Sequence, residues 1–212
     1  MVNPIQVRAM DFRLASRLAD QQPQDVIVAK GMTVADAVSA ILARSVHHVL
    51  SRLTLISHGF AELIEGDTAP DHNMSVRLPG PTNASRSPAS FSKIYGGYGL
   101  EFGSDDLSMG NVATFGRLRG RFTDGAILVV FGCAAADKGP AISAHLTGDG
   151  PGLMKELARQ TGVPVRASDK LQEVPMNWYL GAADRGAWAG RTYLFMPDGR
   201  QVDESALNMS VY

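Results

Sequence analysis

The chain has 212 residues with 20 basic and 21 acidic side chains, so its formal net charge is −1. This balance argues against a nucleic-acid partner, because nucleic-acid-binding proteins normally carry a basic excess, and against a polybasic membrane anchor. Hydrophobic residues make up 45% of the chain and charged residues 19%, as in an average globular protein. The single cysteine excludes an internal disulfide framework and a zinc site built from several cysteines.

No stretch of the sequence approaches the roughly 18 to 20 apolar residues that cross a bilayer. The first residues also lack the apolar segment of about 7 to 15 residues that a secretory signal contains. We therefore expect a cytoplasmic protein with no membrane partner; export without a cleaved signal is the alternative. Residues 1–212 are predicted to form one domain.

The first regular pattern is a strand, a helix and a second strand. Residues 25–29 form a short β-rich run, and Thr33 has the character of a helix N-cap. Apolar residues with helical periodicity begin at Val34, and Leu53 to Ile56 form a second apolar run. Residues 25–57 therefore predict a β-α-β unit, which implies a parallel sheet. A short helix is predicted before it, at 12–20.

Residues 62–100 are rich in proline, serine, asparagine and glycine. A structureless stretch of this length is uncommon inside a compact domain and is usually a functional flap or a disordered segment. We expect a flexible insertion here, which covers the substrate or is cut by self-cleavage. A short hairpin within it is the alternative.

The second half of the chain continues the alternation. Residues 111–122 have helical apolar spacing, and Ala126 to Phe131 form the most apolar run, which predicts a buried central strand. A helix over 153–160 ended by Gly162 and a strand over 163–167 follow. The last elements are an apolar β-rich run over 191–196 and a turn over 197–199. The pattern predicts an α/β fold with a mostly parallel central sheet and helices on both faces.

Two of the predicted buried strands end at residues that could react. The first ends at His58-Gly59, and the second ends at Gly132-Cys133. Since the carboxyl ends of parallel strands share one edge of a sheet, we expect His58 and Cys133 to lie close together there. A thiolate paired with an imidazole can attack a carbonyl and donate a proton to the leaving amine. The backbone N–H groups of Gly59 and Cys133 are candidates for an oxyanion hole.

Three sequence blocks resemble those of clan CD cysteine peptidases, which include caspases, metacaspases, legumain, gingipain, clostripain and separase. They read Leu-Thr-Leu-Ile-Ser-His-Gly at 53–59, Ala-Ile-Leu-Val-Val-Phe-Gly-Cys-Ala at 126–134 and Thr-Gly-Val-Pro-Val-Arg-Ala-Ser-Asp at 161–169. The blocks are most similar to a bacterial caspase-like domain of large surface proteins. The resemblance implies a caspase–hemoglobinase-like three-layer sandwich.

The resemblance also implies roles for individual residues. Cys133 would be the nucleophile and His58 the general acid/base of a cysteine endopeptidase that needs no cofactor and no metal. Asp169, with Ser57 and Ser168, would bind a protein or peptide substrate. An acidic residue at this position would favour Arg or Lys at P1, the residue before the cleaved bond.

Other interpretations of the same residues stay open. The caspase signature Gln-Ala-Cys-x-Gly is absent, so cleavage after aspartate is not indicated. A lone cysteine beside a strand is often an inert core residue, and an aspartate after a strand is often a plain turn residue. An inactive binding or scaffold domain on this fold is therefore one alternative. A protease that acts as a secreted bacterial effector or toxin is another.

Overall fold

The computed structural model describes residues 3–15, 21–65, 75–76, 91–132, 135–137, 149–169, 188 and 190–204. For residues 60–65, 75–76 and 91–98 it describes the backbone alone. The elements in chain order are β1 Pro4–Asp11, α1 Phe12–Ala15, β2 Val26–Val28, α2 Val34–Arg44, β3 Val49–Ile56, β4 Gly59–Glu65, β5 Ser75–Val76, β6 Phe91–Leu100, a 3₁₀ helix Val112–Leu118, β7 Phe122–Phe131, α3 Gly150–Thr161, β8 Val165–Ser168, β9 Thr192–Phe195 and β10 Gln201–Asp203.

Seven of these strands form the central sheet in the order β10-β9-β8-β7-β3-β1-β2. The pairs from β2 to β8 are parallel, and β9 and β10 add an antiparallel hairpin at one edge. The prediction of an α/β fold with a mostly parallel central sheet is confirmed. The turn predicted at 197–199 joins β9 to β10, with the amide of Gly199 donating to the carbonyl of Met196.

Consecutive residues of each central strand point to opposite faces, and the two faces are covered differently. The larger cluster contains Ala9, Leu55 and Val130, together with the buried sides of α2, α3 and the 3₁₀ helix. On the other face Met10, Ile56 and Phe131 pack against Leu14 of α1. Helices therefore lie on both faces in the described part of the chain, with most of the helical packing on one of them.

Helix α2 begins and α3 ends where the sequence indicates. The hydroxyl of Thr33 accepts from the amide of Asp36, whose carboxylate accepts from the amide of Thr33 in return. Gly162 ends α3 in the left-handed conformation, with φ of 79°. The predicted strand at 163–167 is present as β8.

The prediction missed β1, and the topology differs as a result. β1 lies between β2 and β3, so the two strands of the predicted β-α-β unit run parallel without touching. Gln6 and Arg8 alternate with apolar residues in β1, so the strand lacks an apolar segment like Leu53 to Ile56 of β3. Of the helix predicted at 12–20, residues 12–15 are helical, and the rest lies outside the described residues.

The helix predicted over 111–122 is present in part, as a shorter 3₁₀ helix. A 3₁₀ helix spans Val112–Leu118, and its apolar residues Val112, Phe115 and Leu118 are buried at a spacing of three. Gly116 lies inside it, and Gly120 after it has φ of 76°, which interrupts any continuation as an α-helix.

Both ends of the predicted insertion at 62–100 belong to strands. β4 and β6 pair antiparallel, and β5 pairs with the other edge of β4. This second sheet agrees with the alternative prediction for this segment, a hairpin instead of a structureless loop. The remainder of the insertion lies outside the described residues.

Residues 101–105, which directly follow β6, are called the strap below. The amide of Glu101 donates to the carbonyl of His58 at 2.8 Å. Two residues further on, the amide of Gly103 donates to the carboxylate of Asp11 at 2.9 Å. The strap therefore ties the ends of β1 and β3 to each other.

The strap also holds the start of α2. The amide of Ser104 donates to the carbonyl of Met32, and the carboxylate of Asp105 accepts from the amide of Val34. A carboxylate at this position interacts favourably with the free amides at a helix N-terminus. Gly103 has φ of 78° and lies so close to Met32 that a side chain there would overlap the Met32 carbonyl.

We expect Gly103→Ala to destabilise the protein by about 3 kcal/mol, because left-handed strain and a backbone clash add. Gly199→Ala is the matched control: its φ is 87°, but a side chain would meet open space. The control should lose about 1 to 2 kcal/mol. Urea denaturation of both variants measures the difference, and equal losses would contradict the role given to the strap.

Candidate functional site

The predicted neighbours β3 and β7 pair directly, parallel and in register. Leu53 lies opposite Leu128 and Ile56 opposite Phe131, and the ladder continues with the amide of Ser57 donating to the carbonyl of Phe131. Both strands therefore leave the sheet at the same level of one edge. His58 follows Ile56 by two residues, as Cys133 follows Phe131.

Cys133 itself lies outside the described residues, whereas its neighbour Gly132 is buried beside Ser57. A side chain at Gly132 would come within 2.8 Å of the end of Leu100 and 3.4 Å of the carbonyl of Ser57. Glycine therefore suits this position, because the Leu100 side chain at the end of β6 leaves no room for another side chain.

His58 is half-buried between the two sheets. Its carbonyl accepts from Glu101, and the next residues, Gly59 and Leu100, are opposite each other without exchanging hydrogen bonds. The amide of Leu100 instead donates to the carbonyl of Leu107. The N–H of Gly59 thus points away from β6.

The two serines placed in the site by sequence are both buried. Ser57 is 3% exposed, on the face of the sheet where Leu100 packs, and its hydroxyl has no hydrogen-bond partner among the described residues. Ser168 is fully buried, and its carbonyl accepts from the amide of Ala136. This last bond draws the segment after Cys133 against the end of β8.

Asp169 follows β8 and lines a cavity of about 450 Å³. Its carboxylate accepts from the amide of Arg191 at 2.9 Å and from the hydroxyl of Tyr193 at 3.4 Å. Burial and the neighbouring Asp169 raise the pKa of Tyr193, so its phenol stays protonated at neutral pH. The carboxylate of Asp169 is thereby held at the cavity wall.

The cavity carries more negative than positive charge in the described part of its wall. Asp137, Asp149 and Asp169 line it together with Lys155. Asp149 is also the N-cap of α3, where its side chain accepts from the amide of Gly152. The sequence analysis identified Asp169 but not Asp137 or Asp149. Asp149 lies at the start of α3 and Asp137 in the segment after β7, so only the tertiary structure brings them to the same cavity as Asp169.

A buried charged cluster at the end of β1 was also missed. Asp11 and Glu101 are 0% and 2% exposed, and Arg13 lies between them. Arg13 contacts Asp11 at 2.9 Å and Glu101 at 3.4 Å, and its guanidinium stacks on the ring of Phe12. The cluster carries two carboxylates for one guanidinium and adjoins the backbone of His58. Only the position of β1 beside β3 could reveal it.

Phe131 forms an aromatic contact at the end of β7. Its ring lies 5.1 Å from that of Trp188, which is half-buried. The contact places Trp188 beside the strand end that leads to Cys133.

Within the described residues, no group of three or more His, Cys, Asp or Glu side chains is arranged to hold a metal ion. None of the helices described is long and apolar enough to cross a membrane. No family model, curated protein or solved structure matches this chain.

The buried hydroxyl of Ser57 leads to a stability prediction. Ser57→Ala should leave the free energy of unfolding unchanged or raise it by about 1 kcal/mol, because it removes a buried polar group that makes no hydrogen bond in the described structure. In Ser45→Ala, the control, a buried hydroxyl that donates to the carbonyl of Ile41 is lost. That variant should lose about 1 kcal/mol.

Thermal and urea denaturation of the two serine variants give the comparison. A loss in Ser57→Ala as large as that in Ser45→Ala would show that Ser57 bonds a group of the core. Its proposed role toward substrate would then need to be withdrawn.

Proposed function

We propose that this chain is a cysteine endopeptidase that uses Cys133 and His58, on a caspase–hemoglobinase-like fold. The observation that supports it best is the pairing of β3 with β7, with Ile56 opposite Phe131. In this register the strand that precedes His58 and the strand that precedes Cys133 end at the same level. The resemblance of three sequence blocks to clan CD peptidases agrees with it.

The chemistry proposed is acyl transfer through a thioester. The Cys133 thiolate attacks the carbonyl carbon of the scissile peptide, while the N–H of Gly59 and that of Cys133 bind the oxyanion. As the C–N bond breaks, the imidazolium of His58 gives its proton to the leaving amine. His58 then takes a proton from water, whose oxygen attacks the thioester and releases the acid and the thiolate.

The acidic cavity is the proposed pocket for a basic P1 side chain. Ala136 lines it and follows Cys133 by three residues, which span at most about 11 Å. The Asp169 carboxylate is held at its wall, with Asp137 and Asp149 adding negative charge. An Arg or Lys side chain would be attracted there, whereas an acidic one would be repelled.

Replacing either reactive residue should abolish cleavage of a peptide with Arg or Lys at P1. We expect Cys133→Ala and His58→Ala each to reduce kcat/KM by at least about 1,000-fold, because a thiolate and its proton donor are both needed. A fluorogenic peptide assay measures this, and His47→Ala, at an exposed histidine, is the control.

Labelling of Cys133 by an acyloxymethyl ketone provides a second measurement. Activity retained in either site variant would contradict the proposal. Failure of the folded wild-type protein to react with the ketone would do so as well and would favour a binding domain without turnover.

The P1 preference has its own test. Asp169→Asn should lower kcat/KM for Arg and Lys substrates by about 10-fold to 100-fold, because it removes one charge from the pocket wall. Asp198→Asn, an exposed turn residue paired with Arg200, is the matched control and should leave the rate unchanged. Equal rates for Asp169→Asn and wild type would show that P1 is bound elsewhere.

A further inference from the structure

Glu101 lies directly opposite His58 in an antiparallel backbone pair. The Glu101 amide donates to the His58 carbonyl, and the register of Gly59 with Leu100 makes the preceding pair His58 with Glu101. Residues opposite each other in such a pair have their side chains on the same face, with Cβ atoms about 4.5 to 5.5 Å apart. A glutamate side chain can reach an imidazole across that separation.

The side chain of Glu101 is held on this face by the charged cluster. It is 2% exposed, and its carboxylate lies 3.4 Å from Arg13. Arg13 in turn contacts Asp11, whose other oxygen accepts from Gly103 of the strap. Each member is therefore fixed by a neighbour, so the Glu101 carboxylate is positioned before any substrate binds.

The faces of the sheet agree with this arrangement. Leu100 packs toward Gly132 and Ser57, in the larger core. Glu101, the next residue, must point to the opposite side, where Arg13 lies. The same alternation after Ser57 directs His58 to the side of Glu101.

We propose that Glu101 is a positioning residue that orients the His58 imidazole and stabilises its protonated form beside Cys133. This inference rests on the proposed function for its role in catalysis. Among the described residues, the charged groups linked to this backbone pair are Asp11 at the end of β1, Arg13 in α1 and Glu101 in the strap. Two carboxylates and one guanidinium give these described residues a net negative charge, which favours a protonated imidazole and, through it, a thiolate.

The test compares Glu101→Gln with the wild type. Because the chain contains one cysteine, the rate of alkylation by iodoacetamide reports on the Cys133 thiolate alone. We expect alkylation at pH 6 to fall about 10-fold in Glu101→Gln, since without the carboxylate the thiolate forms only at higher pH. In the peptidase assay, kcat should fall about 100-fold while KM changes by less than about 2-fold.

Two further variants separate this role from a merely structural one. Asp25→Asn removes another buried carboxylate, which pairs with Arg8 in the middle of β1, and should leave the alkylation profile unchanged. Glu101→Asp keeps the charge and should retain the wild-type profile of alkylation against pH. A folded Glu101→Gln protein with unchanged kcat and alkylation would overturn the inference.

The outcomes also distinguish this inference from the proposed function. If the wild type cleaves no peptide but Glu101→Gln still slows alkylation at pH 6, the proposed peptidase function is contradicted and the positioning role of Glu101 is supported. If Glu101→Gln does not fold, nitrogen NMR of the histidines in the wild-type protein tests the positioning role instead. A single proton position on the His58 ring supports the role, and the mixture expected of the exposed His47 contradicts it.

Discussion

The backbone ladder between β3 and β7 is the interaction on which the arrangement of the site depends. Its hydrogen bonds run in register from Leu53 and Leu128 to the ends of both strands. Parallel pairing is cooperative along a ladder, and a slip of one residue would turn every side chain to the other face. The buried apolar residues on both faces of these strands oppose such a slip, so core packing holds the ends of β3 and β7 level.

The edge of the sheet is then stiffened by polar contacts. Residues 101–105 bond to the end of β3, to Asp11 at the end of β1 and to the first turn of α2. Buried charges of this kind are costly unless they are paired, which is why Arg13 lies between Asp11 and Glu101. These contacts hold the groups of the rim in position without a ligand.

Charge is distributed differently on the two sides of this edge. The cavity lined by Asp169 opens beside α3, on the face with the larger core, whereas the cluster around Arg13 lies on the face of α1. In the proposed enzyme the first would select the substrate and the second would support the reacting groups. Because apolar residues of the sheet lie between the cavity and the cluster, each of the two has its own charged neighbours.

The sequence by itself determined the class of fold and the pair of apolar strands before His58 and Cys133. It also determined that one helix begins after Thr33 and that another ends at Gly162. These follow from short-range rules of periodicity, capping and burial. Tertiary structure alone decided that β1 lies between β2 and β3, that 112–118 forms a 3₁₀ helix, and that Glu101 is opposite His58. Strand order and cross-strand partners depend on contacts between residues distant in the chain, and no local pattern encodes them.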